Sequence, residues 1–148
     1  MILVDANVLL YAYHPRAQAH DRCRAWVEQA FSGEEPVAIA WVTLLAFVRI
    51  STNPRVFEQP LLAGEALAAV SSWLARPSVS VLEAGEACWE IFRQLVVEAQ
   101  VSGPLVMDAF LAALAIENGA TLATTDRDFA RFPKLKLVNP AGGTDVAF

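Results

Sequence analysis

Ile2-Leu3-Val4-Asp5-Ala6-Asn7-Val8-Leu9-Leu10-Tyr11 is the stretch from which the fold is read. Ile2 to Val4 are too uniformly apolar for a half-exposed strand and read as a strand buried on both faces. The run ends abruptly in Asp5, and a helix-like apolar segment follows at once. That places Asp5 at the carboxyl end of a strand, where open α/β sheets hold their ligands. An acid between Val4 and Val8 is costly to bury unpaired. It either caps the next helix or serves a site.

The same alternation continues along the chain. Ala6 to Tyr13 form a short helix stopped by His14-Pro15, and a longer helix runs from Gln18 or His20 to Phe31. Val37 to Ala40 are the next buried strand, and Trp41 to Ile50 return to helical periodicity with Thr43 as its cap. Pro60 to Arg76 read as a helix with Pro60 in its first turn and Leu67, Val70, Ser71 and Leu74 on its apolar side; Trp73 is assigned to an interface. Val79 to Leu82 form a third strand and Ala84 to Ala99 a helix. Met107 to Glu117 form another helix, followed by a strand over Thr121 to Thr124, a short helix over Arg127 to Arg131 and a last strand over Leu135 to Val138. Residues 139–148 read as a flexible tail. Strands separated by helical crossovers predict an α/β fold, a three-layer α/β/α sandwich around a mainly parallel five-stranded sheet, in one domain spanning residues 1–148.

Composition narrows the function. The hydrophobic fraction is 55% and the mean hydropathy +0.40, high for a soluble chain, yet no uninterrupted apolar stretch approaches the roughly 20 residues of a membrane span. A buried parallel sheet plus an apolar surface kept for a protein partner accounts for both. The first residues lack the basic region of a signal peptide, so a cytoplasmic location is expected. Cys23 and Cys88 read as small buried hydrophobes, and His14 and His20 flank a turn. The net charge of −5 argues against a broad, nonspecific nucleic-acid surface. It leaves room for an enzyme that meets phosphates through cations.

Three acids occupy comparable places. Asp5 ends the first strand, Asp126 follows the fourth, and Asp108 opens the helix before the fourth. With the first and fourth strands as neighbours, the strand-end carboxylates face one crevice. Asp128 reaches the same crevice from the next turn. Converging carboxylates call for a proton or a cation, and oxygen ligands without thiolate or imidazole favour Mg²⁺, with Mn²⁺ as the alternative. Asp5, Asp108 and Asp126 form the metal set, joined by Asp128 in the catalytic set; helix capping and surface ion pairs are the competing explanations. Asn7, Thr43 and Thr125 are hydrogen-bonding neighbours, and Arg49 suits a phosphate or a surface salt bridge. Asn53 and Arg55 are weaker substrate contacts.

With those residues in view, nearly all of residues 1–140 resembles the PIN-domain ribonucleases, and within them the VapC-type toxins of toxin–antitoxin pairs. The resemblance is carried by Ile2-Leu3-Val4-Asp5-Ala6-Asn7, Trp41 to Arg49 with Thr52-Asn53-Pro54-Arg55-Val56-Phe57, Asp108 to Glu117, and Thr124-Thr125-Asp126-Arg127-Asp128-Phe129. It implies metal-dependent endonucleolytic cleavage of an RNA substrate, a homodimer, and inhibition by a cognate antitoxin whose C-terminal segment covers the active site. Asp5, Asp108 and Asp126 match the family's acids, and Asp128 an additional one. The family's usual glutamate three residues before the arginine is Ala46 here, a loss of one carboxylate. The alternatives are a catalytically impaired PIN-like domain that binds RNA or protein, a phosphatase or DNA nuclease using similar carboxylates, and a partner-binding domain whose acids are only caps.

Overall fold

The computed structural model describes residues 1–142. The expectation for the tail at positions 143–148 lies outside those residues. Five strands, β1 (Ile2–Val4), β2 (Val37–Ala40), β3 (Val79–Leu82), β4 (Thr121–Ala123) and β5 (Lys136–Val138), form one sheet in the order β3-β2-β1-β4-β5. Every pairing is parallel. The order reverses between β1 and β4, and Leu3 lies opposite Leu122 there.

Successive side chains of a strand face opposite sides of the sheet, and here both sides are covered. Val4, Val37, Ile39 and Val79 pack beneath α1 (Ala6–Tyr13), α2 (His20–Ser32), α3 (Trp41–Ser51) and α4 (Ala63–Leu74). Leu3, Ala38, Ala40 and Leu122 pack against α5 (Cys88–Glu98), α6 (Leu105–Glu117) and the 3-10 turn Arg127–Arg131. These are the three layers read from the sequence. No helix among the described residues is long and apolar enough to cross a membrane.

Three local expectations change. First, α4 begins at Ala63 rather than Pro60, with Glu65 reaching back to accept from the Leu62 N–H at 3.0 Å. Its buried face is Ala66, Ala69 and Trp73, while Leu67 stays 55% exposed. The two alanines let the helix approach closely, and Trp73 fills the remaining space edge-on to Tyr13, Phe31 and Phe47. Trp73 therefore belongs to the core. Second, Thr43 does not cap α3; Ala40 holds that position, and Thr43 is buried within the helix's first turn.

Third, α5 starts at Cys88 instead of Ala84, because the preceding loop is held by a distant carboxylate. Glu117, at the end of α6, accepts from the Gly85 N–H at 3.0 Å and the Ala87 N–H at 3.1 Å. A Cβ at residue 85 would meet that carboxylate, so a side chain there would push Glu117 off its two donors. Glu117→Ala orphans both donors. It is expected to lower stability in urea unfolding by about 1–2 kcal/mol, the low end for hydrogen bonds to a charged group because the pair is near the surface. An unchanged urea midpoint would remove this account of the loop.

Candidate active site

The reversal in strand order brings the carboxyl ends of β1 and β4 side by side, and the Asp5 N–H donates to the Ala123 carbonyl at 2.9 Å. Asp5 is the N-cap of α1, its Oδ1 accepting from the Ala6 N–H at 2.7 Å. Its Oδ2 accepts from the Thr124 hydroxyl at 2.7 Å. Capping is thus one of two jobs, and it occupies only one oxygen.

Thr124 is the residue that sequence reasoning missed. It is fully buried, donates to Asp5, and accepts from the Asp126 N–H at 3.0 Å and from Asn7 Nδ2 at 3.5 Å. One hydroxyl therefore fixes the spacing of two carboxylates that are 121 positions apart in the chain. The available signal was a threonine two residues before an aspartate, the spacing at which a hydroxyl holds a turn N–H. Its long-range partners needed the strand order. Asn7 adds a second tie, its Oδ1 accepting from the Thr125 N–H at 3.4 Å. The contribution of Thr125 is thus through its backbone.

Asp126 caps the 3-10 turn by accepting from the Asp128 N–H at 2.8 Å. Asp108 projects from the first turn of α6 into the same region. One oxygen from each of Asp108, Asp126 and Asp128 falls within 4.8 Å of the others. Asp5 lies beside this set rather than in it, linked to Asp126 through Thr124. Arg131 answers Asp128, with Nη2 at 3.4 Å from its Oδ1 and Nε donating to its carbonyl at 2.8 Å. The ion pair considered for Asp128 from sequence is present, and Asp128 remains in the cluster.

The electrostatics register the crowding. Burial, then the charges of Asp126, Asp5 and Asp128, push the Asp108 carboxyl up to about 6, against a smaller opposing pull from Arg131. Burial also raises Asp5, partly offset by the Thr124 and Ala6 hydrogen bonds and reinforced by Asp126. Like charges held this close favour whatever neutralises them. An all-oxygen donor set of three carboxylates fits a hard divalent cation.

A cleft of about 500 Å³ opens next to Asp5 and Asp108, between α3 and α6. Thr43, Ala46 and Arg49 line it, so Ala46 does face the acids and leaves that wall without a carboxylate. Among the described residues no acid lies within ion-pair distance of Arg49. Asn53 is elsewhere: its Oδ1 accepts from the Arg55 N–H at 2.9 Å and holds the turn after α3, with Arg55 exposed. His14 stacks on Phe57, and His20 contacts the Tyr11 carbonyl; neither lines the cleft beside Asp5 and Asp108. Cys23 and Cys88 are buried, unpaired thiols.

Comparison with known proteins fits this arrangement. A family model described as the PIN domain matches residues 2–135. The VapC ribonuclease of Mycobacterium bovis and ribonuclease VapC43 of Mycobacterium tuberculosis are each 39% identical to this chain over 143 residues, covering 97% of it and 97% of each relative. Among solved structures, VapBC2 from Rickettsia felis bound to a promoter DNA fragment matches with a TM-score of 0.70 at 21% identity, over 94% of this chain and 98% of that one. VapC20 of M. tuberculosis, described as a sarcin-ricin loop cleaving toxin, matches with a TM-score of 0.63 at 21% identity, over 88% and 93%. Likeness at that identity establishes the shared fold.

Proposed function

The chain belongs to the PIN domain family, in the branch of the VapC ribonucleases, and from that premise we propose that it is an endoribonuclease acting as the toxin of a toxin–antitoxin pair. The observation that carries the reading is the meeting of Asp108, Asp126 and Asp128 within 4.8 Å, at the sheet edge that also presents Asp5. In this proposal those acids hold Mg²⁺ or Mn²⁺. Such a cation supplies charge stabilisation for the reacting phosphodiester and acidifies water.

The chain's own residues do the positioning. Thr124 and the Ala6 N–H fix both oxygens of Asp5, and the 3-10 turn fixes Asp126. Asn7 ties α1 to the segment after β4. Arg49 offers a planar fork of donors to a phosphate entering the cleft. A chain with a net charge of −5 gains little from long-range attraction to RNA, so selection rests on shape and a few arginines. The cognate antitoxin, the homodimer, the cytoplasmic location and a single working domain over residues 1–148 belong to the same proposal.

Ala46 favours a second reading, a catalytically impaired domain that binds RNA or protein, because the wall it occupies carries no carboxylate. Removal and return of the ion separates the two. After EDTA treatment the purified chain is expected to leave a labelled single-stranded RNA intact, and Mg²⁺ or Mn²⁺ is expected to restore cleavage. Cleavage that persists in EDTA would sink the metal-dependent reading. A folded chain inactive with either ion would favour the impaired one.

A further inference from the structure

We propose that the cleft between α3 and α6 is a nucleobase recess, which takes one unpaired, out-turned base of the substrate while the adjoining phosphate lies at the carboxylates. The inference rests on the ribonuclease reading and names the form of RNA that the site takes. Val42, Leu45, Ala46 and Arg49 follow the one-face spacing of a helix, and they look across the cleft at Met107 and Leu111 of α6. The cleft holds about 500 Å³, within the range of pockets that enclose a small organic ligand and more than a phosphate alone requires.

Its chemistry is mixed. The lining joins Asp5 and Asp108 to the apolar side chains of Val42, Leu45, Met107 and Leu111, and two of these project far into solvent, Leu45 at 64% and Met107 at 52% exposure. Apolar walls suit the flat face of a base, since contact with a base face does not depend on its identity. Ala46 provides room: it lines the same cleft with a single methyl group, where a long acidic side chain would take up space and add charge. Arg49, which also lines the cleft and has no acidic partner among the described residues, matches a phosphate or a base plane. A base within an A-form duplex cannot turn into such a recess without unpairing, so the geometry selects single-stranded or looped RNA. The direct continuity of recess and carboxylates favours a substrate group over a protein side chain as occupant.

Methyl-labelled NMR of the Mg²⁺-supplemented full chain tests this with nucleoside 5′-monophosphates, and with ribose 5-phosphate as the ligand lacking a base. The nucleotides are expected to shift the Leu45, Met107 and Leu111 methyl signals, and ribose 5-phosphate to leave them in place. Ala46→Leu, which fills the recess without adding charge, is expected to weaken nucleotide binding at least about tenfold while Mg²⁺ affinity by calorimetry stays within about twofold. Leu45→Ala, at an exposed position that poses no threat to folding, is expected to weaken it in the same direction. Equal responses to nucleotide and ribose 5-phosphate, or unaltered binding in both variants, would overturn the recess. Methyl signals unmoved by every nucleotide would overturn it too and leave a protein segment as the occupant. Base-dependent shifts in a chain that cuts no RNA would defeat the nuclease reading while the recess stands.

Discussion

Asp108→Asn is expected to reduce RNA cleavage at least about 100-fold and, in the metal-free protein at neutral pH, to raise the unfolding temperature. The two effects share one cause. Asp108 has an ordinary value of 3.8 and is raised to about 6 in the fold by burial and by Asp126, Asp5 and Asp128. The folded chain therefore binds its proton more tightly than the unfolded chain does. Stability from this group is fully present below about pH 4 and is lost as pH rises through about 6. At pH 7 the charged carboxylate opposes folding, and a neutral amide of the same shape removes that opposition. The group is only partly buried, so solvent screening keeps the gain to a few degrees.

Divalent cation reverses the sign. Binding only to the folded chain, it stabilises by mass action, and its ligands must be ionised. Wild type is thus expected to gain more unfolding temperature from Mg²⁺ or Mn²⁺ at pH 7 than at pH 5, and Asp108→Asn to gain less than wild type at pH 7. A carboxylate present only as a favourable first-turn charge on α6 would behave oppositely, since its removal would destabilise. Differential scanning fluorimetry across pH, with and without the ion, distinguishes them. An Asp108→Asn protein that melts lower than wild type at pH 7 without metal would end the crowding argument, and one that still cuts RNA at the wild-type rate would end the catalytic assignment.

What the sequence discloses about this fold depends on how local each cause is. The central strands were legible because parallel strands covered on both faces read as short continuous apolar runs, as Val37 to Ala40 do with the boundaries expected; the edge strand Val79 to Leu82 keeps its expected boundaries although Ser80 faces solvent. The buried face of α4 was not, because its packing uses Ala66 and Ala69 as close-approach surfaces, and a search for large apolar side chains passes over alanine. The late start of α5 depends on Glu117, some thirty positions away, and no local signal encodes it. The acids show the same division. Asp5, Asp108 and Asp126 each declare themselves by ending a strand or opening a helix. Which oxygens converge is a tertiary property: the β1–β4 adjacency joins Asp5 to Asp126 through Thr124, whereas the set that meets within 4.8 Å is Asp108, Asp126 and Asp128. Asn53 illustrates a local cause within a suggestive run: its amide oxygen accepts from the Arg55 N–H and holds the turn after α3.

Thr124→Val is expected to cost about 2–3 kcal/mol of stability and to lower cleavage by about 10–100-fold. Valine preserves the shape and removes the hydroxyl, so the Asp5 carboxylate loses a donor at 2.7 Å and the Asp126 N–H loses its acceptor at 3.0 Å. Both carboxylates are then free to drift from the spacing that holds the cluster together. The pH profile offers a readout that simple destabilisation would not move. The Thr124 hydrogen bond works to lower the carboxyl of Asp5, which burial otherwise raises. Without that bond the group titrates at higher pH, and the acid limb of cleavage, which requires ionised Asp5, is expected to shift upward. Thr124→Ser restores the hydroxyl at the loss of one methyl group and is expected to recover the wild-type acid limb with most of the activity. If valine and serine gave the same acid limb and the same rate, the hydroxyl would be a packing detail, and the joint placement of Asp5 and Asp126 would need another cause.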